Sequence, residues 1–215
     1  NFVCECRKTS MNLSIIRRNF HGLLGQRRRT DSNTNFFPMY ENSSLVTMRS
    51  DFSRLLEVAK KEEQLQKFIE GNPLMLHQFP AEQLFHKPKI LTDYVADFAV
   101  VTPQRELLLI ELEKPNTRIL KKDGGMAAEL SHAFDQVLDW LHKVDEHRLA
   151  VLDSLKIDKS KVSSVKGVII AGKDAGNDKE ELRKLKGRDT GRIRFFTYDD
   201  LGFALDALIR RMDNL

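Results

Sequence analysis

Three acidic side chains on two neighbouring predicted strands are the residues best suited to chemistry. Residues 106–113 alternate with period two, which places Glu111 and Glu113 on one otherwise apolar face. Asp97 also has apolar neighbours, on the preceding strand-like segment, residues 91–101. Because unpaired carboxylates are costly to bury, acids in such positions raise one another's pKa or bind a cation.

The turn between the two segments decides whether these acids converge. A three-residue turn at residues 103–105 sets Asp97 directly opposite Glu111, whereas a four-residue loop shifts the register by one. In the first register the three carboxylates lie within one or two residue spacings, and their oxygen ligands favour Mg²⁺ or Mn²⁺. In the alternative, Glu111 and Glu113 lie in water at a strand end and Asp97 pairs with a lysine.

Apolar periodicity predicts the elements that hold these acids. The predicted order is a helix over residues 51–70, a loop with two prolines, the hairpin of residues 91–101 and 106–113, a helix from 127 to 142 or beyond, a strand over 165–171, a short helix over 178–186, a strand over 192–198 and a closing helix over 199–212. This order predicts an α/β fold with a mixed central β-sheet flanked by helices.

Composition excludes several classes of protein. The chain has 41% apolar and 31% charged residues, as one globular domain does, and its apolar runs are far too short for a transmembrane helix. Cys4 and Cys6 are the only cysteines, too few for a disulfide framework or a four-cysteine zinc site. We therefore expect a protein of the reducing cytoplasm, with no membrane partner.

The basic charge is concentrated at the start of the chain. Residues 1–49 hold eight Lys and Arg against three acids, whereas the remainder holds 27 basic and 28 acidic side chains. We interpret residues 1–49 as a basic linker or the edge of an N-terminal region, and residues 50–215 as the folded domain. Because the chain starts at Asn1, we expect a fragment of a longer protein, whose N-terminal part would sense a trigger or restrain activity.

Three stretches carry a resemblance to a known family. They are Asp97 with residues 110–116, which read Ile-Glu-Leu-Glu-Lys-Pro-Asn, residues 62–73 on the first helix, and residues 128–140 on the second. The first resembles the active-site hairpin of the PD-(D/E)XK nuclease superfamily. In this order, the three together resemble the nuclease domain of Shedu anti-phage defence proteins, also called the DUF4263 domain, over roughly residues 50–200.

The resemblance implies roles for the hairpin residues. In such nucleases the Asp and the first Glu hold the metal and a Lys steadies the reacting charge, which implies that Asp97 and Glu111 are ligands. Here the sequence departs from the superfamily pattern, because Glu113 stands two residues after Glu111 and Lys114 follows one later. Either Glu113 joins the metal site with Lys114 nearby, which we favour, or a bulge turns Lys114 into the site.

Further candidates follow from the same resemblance. Gln136 matches the Gln of a Gln-x-x-x-Tyr element, with Trp in place of Tyr at Trp140, and the resemblance implies that it contacts phosphate or a metal-bound water. We expect Trp140 to pack in the core. Glu62 and His132 are possible accessory residues at the metal and the DNA. The favoured alternative for Glu62 is a solvated helix glutamate, and that for His132 is a surface or core histidine.

Two lysines mark a candidate DNA contact. Lys121 and Lys122 precede a Gly-Gly turn between the hairpin and the second helix, where backbone amides and positive charge can hold a phosphate. A solvated loop is the alternative reading of the same residues.

Together with the resemblance, these residues predict a divalent-metal-dependent deoxyribonuclease, an endonuclease acting on double-stranded DNA. The resemblance implies anti-phage defence, a cytoplasmic location and assembly into a homo-oligomer. The alternative is a non-catalytic nucleic-acid-binding or assembly module that keeps a degenerate nuclease fold because the usual lysine is displaced. A third possibility is a structural adaptor whose acids are merely solvated.

Overall fold

A five-stranded mixed sheet forms the centre of the structure, a computed structural model that describes residues 42–91, 94–188 and 191–214. The strands are β1 Gln83–His86, β2 Lys89–Ile90, β3 Tyr94–Val95, β4 Phe98–Val101, β5 Glu106–Leu112, β6 Ser164–Ile170 and β7 Ile193–Phe196. Their order is β1-β4-β5-β6-β7, with β2 and β3 paired separately. The first three strands of the large sheet pair antiparallel, and β5, β6 and β7 pair parallel.

Helices cover both faces of this sheet. They are α1 Asn42–Val58, α2 Glu62–Gly71, α3 Ala128–Ser154, α4 Lys179–Lys186 and α5 Tyr198–Asp213, with short 3-10 turns at Pro73–Leu76 and Lys159–Lys161. Apolar residues of α3 and α4 form one core cluster with one sheet face, and those of α1, α2 and α5 form a second with the other. The predicted α/β fold with a mixed sheet flanked by helices is therefore confirmed.

No helix in the described ranges is both long and apolar enough to cross a bilayer.

The prediction of one helix over residues 51–70 is wrong, because the structure has two helices there. Helix α1 ends at Val58 and α2 begins at Glu62. The side-chain carbonyl of Gln64 accepts hydrogen bonds from the backbone N–H groups of Lys60 and Lys61, 3.0 and 3.2 Å long. These bonds satisfy donors that are orphaned at a new helix start, so they stabilise the break. Apolar spacing continues across the break, which is why periodicity missed it.

Two further boundaries differ from the predictions. Strand β1, residues 83–86, lies where a loop was predicted. The sequence pattern missed this strand because it is only four residues long and lies between two prolines. Residues 91–101 form two short strands, β3 and β4, instead of one.

The N-terminal segment is only partly described. Helix α1 begins at Asn42, so the last residues of the predicted linker are helical, and Leu45 and Met48 are buried in the core. Residues 1–41, with Cys4 and Cys6, lie outside the described residues. The assignment of residues 1–49 and 50–215 as separate regions stays a prediction.

Candidate active site

The β4–β5 hairpin has the register predicted from a three-residue turn. Val101 lies opposite Leu107 and Phe98 opposite Ile110. The Thr102 N–H donates to the Glu106 carbonyl oxygen across 2.9 Å, which closes the turn at residues 103–105. One step beyond the last paired residues, this register brings Asp97 opposite Glu111.

Asp97 lies where the regular ladder between the two strands ends. Its backbone N–H donates to the Ile110 carbonyl oxygen at 3.1 Å, and its side-chain Oδ2 accepts the Leu112 N–H at 2.8 Å. The carboxylate thus replaces a backbone acceptor and is fixed beside the end of β5. Its position beside Glu111 follows from the backbone rather than from a flexible side chain.

Glu111 is joined to the second helix of the candidate site. The Gln136 side-chain amide on α3 donates to Glu111 Oε1 across 2.6 Å. Gly167 on β6 allows α3 to approach this closely, because a Cβ there would lie 2.3 Å from Cγ1 of Val137, the neighbour of Gln136. A glycine within a strand is typical of such a close approach.

Glu113 continues strand β5 without a bulge. Its N–H donates to the Ile170 carbonyl oxygen at 2.9 Å, as the parallel ladder with β6 requires. Its own carbonyl oxygen accepts a 2.6 Å hydrogen bond from the fully buried Tyr198 hydroxyl. Glu111 and Glu113 therefore lie on the same strand face, two residues apart.

Lys114 is exposed and begins a tight turn. Its carbonyl oxygen accepts the N–H groups of Thr117 at 3.0 Å and Gly172 at 3.2 Å. Gly172 has a φ of +63°, and a Cβ there would lie 2.6 Å from the Thr117 carbonyl oxygen, so the turn requires glycine at this contact. The turn holds Lys114 next to Glu113 at the edge of the acidic cluster.

Burial and nearby acidic charge raise the pKa of all three carboxyls. Burial, followed by the Asp97 and Glu113 charges, raises the pKa of Glu111 to about 9 against the opposing effect of the Gln136 hydrogen bond. Burial also raises the pKa of Asp97 to about 6. The pKa of Glu113 is raised by burial and then by the Glu62 charge, while the charges of Lys114 and His132 lower it. Burial and like charge thus both disfavour the fully ionised cluster.

The oxygen ligands of this cluster suit a divalent cation, but the side chains are not arranged in a complete coordination site. Within residues 42–91, 94–188 and 191–214, no three or more His, Cys, Asp or Glu side chains are arranged to hold a metal ion as they stand. Yet Asp97, Glu111 and Glu113 offer only oxygen atoms, which Mg²⁺ and Mn²⁺ prefer. A cation would also offset the repulsion from Asp97 and Glu113 that helps to raise the pKa of Glu111.

Of the other candidate residues, two act on the acidic cluster and one packs in the core. Glu62, at the first residue of α2, acts electrostatically on all three acids. His132 is exposed on α3, and its charge acts on Glu113. Trp140 is only 1% exposed and packs in the core, as predicted.

Sequence reasoning missed two residues at this site. Tyr198 supports the backbone of Glu113 from the start of α5, and the exposed Lys87 lowers the pKa of Asp97. Neither shows a local sequence signal, because each reaches its partner across the fold.

The two predicted DNA-binding lysines line a cleft next to the hairpin. Lys121 and Lys122 are exposed, and the cleft of about 740 Å³ is lined by residues 115–122, Gly124, Lys173 and residues 175–178. Its wall begins at Pro115, two residues after Glu113. Arg118 and Lys173 add two cationic side chains to the lining.

Comparison with known proteins places the chain in a family. A search of curated proteins found no match. Residues 59–201 match the family described as Shedu protein SduA, C-terminal, and this match includes the hairpin, α2 and α3. Because the match extends over more than half of the chain, the protein belongs to the Shedu SduA C-terminal family.

Proposed function

We propose that this chain is a divalent-metal-dependent deoxyribonuclease, acting as an endonuclease on double-stranded DNA, with a core of the PD-(D/E)XK type. Membership of the Shedu SduA family points to anti-phage defence. The observation that carries the proposal is the convergence of Asp97, Glu111 and Glu113 at one end of the hairpin, where burial and repulsion raise the pKa of each. Such perturbed acids are typical of functional sites.

Each residue has a distinct proposed task. Asp97, Glu111 and Glu113 would hold Mg²⁺ or Mn²⁺, and the bound cation would neutralise the scissile phosphate and acidify the attacking water. Gln136 keeps Glu111 in place and favours its charged form through their hydrogen bond. Lys114, exposed beside Glu113, would stabilise negative charge that develops on the phosphate.

The basic cleft supports a route for the DNA backbone. Phosphates attract Lys and Arg without regard to sequence, and Lys121, Lys122, Arg118 and Lys173 line one concave surface. Since this surface begins beside the acidic cluster, a duplex held there would run past the cation site. Glu62 and His132 flank the same site as accessory residues. The proposal also includes a cytoplasmic location and assembly into a homo-oligomer.

One observation favours a second candidate, a non-catalytic nucleic-acid-binding or assembly module. Within the described ranges the acids do not form a ready metal site, and Lys114 is exposed instead of aligned with Glu111. Such a module would bind DNA through the cleft without cleaving it.

Cleavage of supercoiled plasmid separates the two candidates. We expect nicking by the wild-type protein in Mg²⁺ or Mn²⁺, none in EDTA, and a loss of at least about 100-fold in Asp97→Asn and Glu111→Gln. Glu106→Gln is the matched control, because Glu106 lies at the opposite end of β5 and pairs with Lys166. Absence of nicking in every metal, with DNA binding retained, would favour the non-catalytic module.

A further inference from the structure

Lys87 lies at the end of β1, directly beside Asp97. The pairing of β1 with β4 ends where His86 lies opposite Phe98. One step further, the Lys87 N–H donates to the Asp97 carbonyl oxygen across 2.9 Å. Because Asp97 in turn lies opposite Glu111, a lysine and two of the acids are neighbours across the ends of β1, β4 and β5.

The backbone at Lys87 has an uncommon conformation. Its φ of +45° lies in the left-handed region, which residues other than glycine seldom adopt. The next residue is held by a 3.2 Å hydrogen bond from the N–H of the fully buried Ala96 to the Pro88 carbonyl oxygen. Such conformations persist where the surrounding structure imposes them, and they are concentrated at functional sites.

The Lys87 side chain is accessible to a ligand. It is exposed, and its ammonium group makes no hydrogen bond or ion pair within residues 42–91, 94–188 and 191–214. Its charge nevertheless acts on Asp97 and lowers the pKa of that carboxyl. The ammonium group therefore lies near the acidic cluster and can still bind an anion brought there.

A phosphate at the acidic cluster needs positive charge on more than one side. Asp97, Glu111 and Glu113 repel it, and one divalent cation carries two charges against three carboxyls. The charge of Lys114 acts on Glu113, whereas that of Lys87 acts on Asp97, on the other strand of the hairpin. A lysine ammonium is a compact charge on a flexible stem, and it binds phosphate oxygens well.

We propose that Lys87 is a further substrate-binding residue, whose ammonium Nζ binds an oxygen of the DNA phosphate held at the acidic cluster. It contacts the phosphate from the Asp97 side, whereas Lys114 contacts it from the Glu113 side. This inference rests on the proposed function, since it assumes that DNA binds at the cluster. The left-handed backbone contributes by fixing the start of this side chain beside Asp97.

The test compares three variants of the full chain. Lys87→Asn removes the charge with a residue that tolerates the left-handed region, and Lys87→Arg keeps the charge. Lys156→Asn is the matched control, because Lys156 is also exposed and has a φ of +54°. It lies between α3 and β6, and β6 begins opposite Glu106, at the other end of β5 from Glu111.

Four quantities are measured for each variant. They are kcat/KM for plasmid nicking, the affinity for a 20-base-pair duplex in Ca²⁺ at several salt concentrations, the affinity for Mn²⁺, and the Tm of the free protein. We expect Lys87→Asn to lower kcat/KM at least about tenfold and to weaken duplex binding about threefold to tenfold. Its slope of log K against log salt should be smaller by about 0.9, the value for one lost phosphate contact. Lys87→Arg should keep the wild-type slope, and Lys156→Asn should bind and cleave like the wild type.

The Mn²⁺ affinity and the Tm separate a phosphate contact from other roles of Lys87. The Tm of free Lys87→Asn should be equal to or above that of the wild type, because Asn adopts this backbone more readily than Lys. Mn²⁺ should bind at least as tightly, because a positive charge beside the cation site has been removed. A changed Mn²⁺ affinity with an unchanged salt slope would mean that Lys87 acts through Asp97 alone, and it would overturn the inference.

Two further results would overturn the inference while leaving the nuclease proposal intact. One is equal duplex affinity and equal salt slope of Lys87→Asn and Lys156→Asn. The other is a clear fall in the Tm of Lys87→Asn together with its activity, which would assign Lys87 a structural role. If the wild-type protein cleaves in no metal, the nuclease proposal fails, and the salt slope in Ca²⁺ alone decides. A smaller slope in Lys87→Asn than in Lys156→Asn then supports the phosphate contact, and equal slopes overturn it.

Discussion

The Gln136 amide donates a 2.6 Å hydrogen bond to Glu111 Oε1 and so joins helix α3 to the acidic end of strand β5. A hydrogen bond to a carboxylate favours its charged form. Here it opposes the burial that raises the pKa of Glu111, so α3 regulates how readily this acid ionises.

Removing this amide should shift the pH dependence of cleavage. In Gln136→Met, Glu111 loses the hydrogen bond that lowers its pKa. This pKa therefore rises further, and the ionised carboxylate forms only at higher pH. We expect the rising limb of the kcat profile in Mn²⁺ to move to higher pH and the rate at pH 7.5 to fall. Asp139→Asn, an exposed change one turn along α3, is the control. An unshifted profile would show that the hydrogen bond has no electrostatic role.

Gly167 should prove necessary for that hydrogen bond. The Cβ of Gly167→Ala would overlap Val137 and push α3 away from the sheet, which we expect to cost roughly 1–3 kcal/mol in the free energy of unfolding. Cleavage should fall as well, because Gln136 moves with the helix. Urea denaturation measures the first effect and plasmid nicking the second.

The control for this change is Gly71→Ala. No atom lies within 4 Å of a Cβ built at Gly71, so this substitution should leave unfolding and cleavage nearly unchanged. Equal stability of Gly167→Ala and the wild type would mean that α3 does not depend on this close approach.

Stability without metal should fall as the pH rises. The pKa of Glu111 is about 9 in the folded chain against 4.5 ordinarily, and that of Asp97 is about 6 against 3.8. Between pH 4.5 and about 9 for Glu111, and between pH 3.8 and about 6 for Asp97, the folded state holds a proton that the unfolded state has released. A rise in pH through these ranges therefore favours unfolding. The stabilisation from the Glu111 proton is complete below about pH 4.5 and is lost through pH 9.

Thermal unfolding in EDTA from pH 5.5 to pH 9 tests this sign. We expect Tm to fall across the range in the wild type and to fall less in Glu111→Gln, which has no proton to release. Excess Mn²⁺ should flatten the wild-type curve, because the cation stabilises the ionised acids. A metal-free Tm that rises over this range would contradict the assignment of a buried, repelling cluster.

The cleft lysines should contribute to DNA binding mainly through charge. For Lys121→Gln with Lys122→Gln we expect weaker duplex binding and a slope of log K against log salt that is smaller by about 2, since each phosphate contact contributes about 0.9. Fluorescence anisotropy at several salt concentrations measures this slope. Lys159→Gln with Lys161→Gln is the control, because both side chains are exposed beside the start of β6. Equal slopes in the two double variants would place the DNA elsewhere.

Local patterns predicted most of the fold and the register of the acids. Period-two alternation placed Glu111 and Glu113 on one strand face, and the three-residue turn, one of the two connections that the sequence allowed, sets Asp97 opposite Glu111, because hairpin register depends on local geometry. Periodicity could not show the break before α2, which depends on the capping bonds of Gln64. The short β1 had too few residues to show a pattern.

The remaining site residues depend on contacts between distant parts of the chain. Tyr198 reaches the Glu113 carbonyl oxygen from 85 residues away, and no spacing in the sequence indicates that contact.

Direct measurement of Mn²⁺ binding tests the central claim, a single cation held by Asp97, Glu111 and Glu113. Electron paramagnetic resonance can follow free Mn²⁺ as it is titrated into wild-type protein, Glu111→Gln and the control Glu106→Gln. The account predicts one Mn²⁺ per chain in the wild type and in Glu106→Gln, with that site lost in Glu111→Gln. Equal binding by wild type and Glu111→Gln, or no binding by the wild type at pH 8, would contradict it.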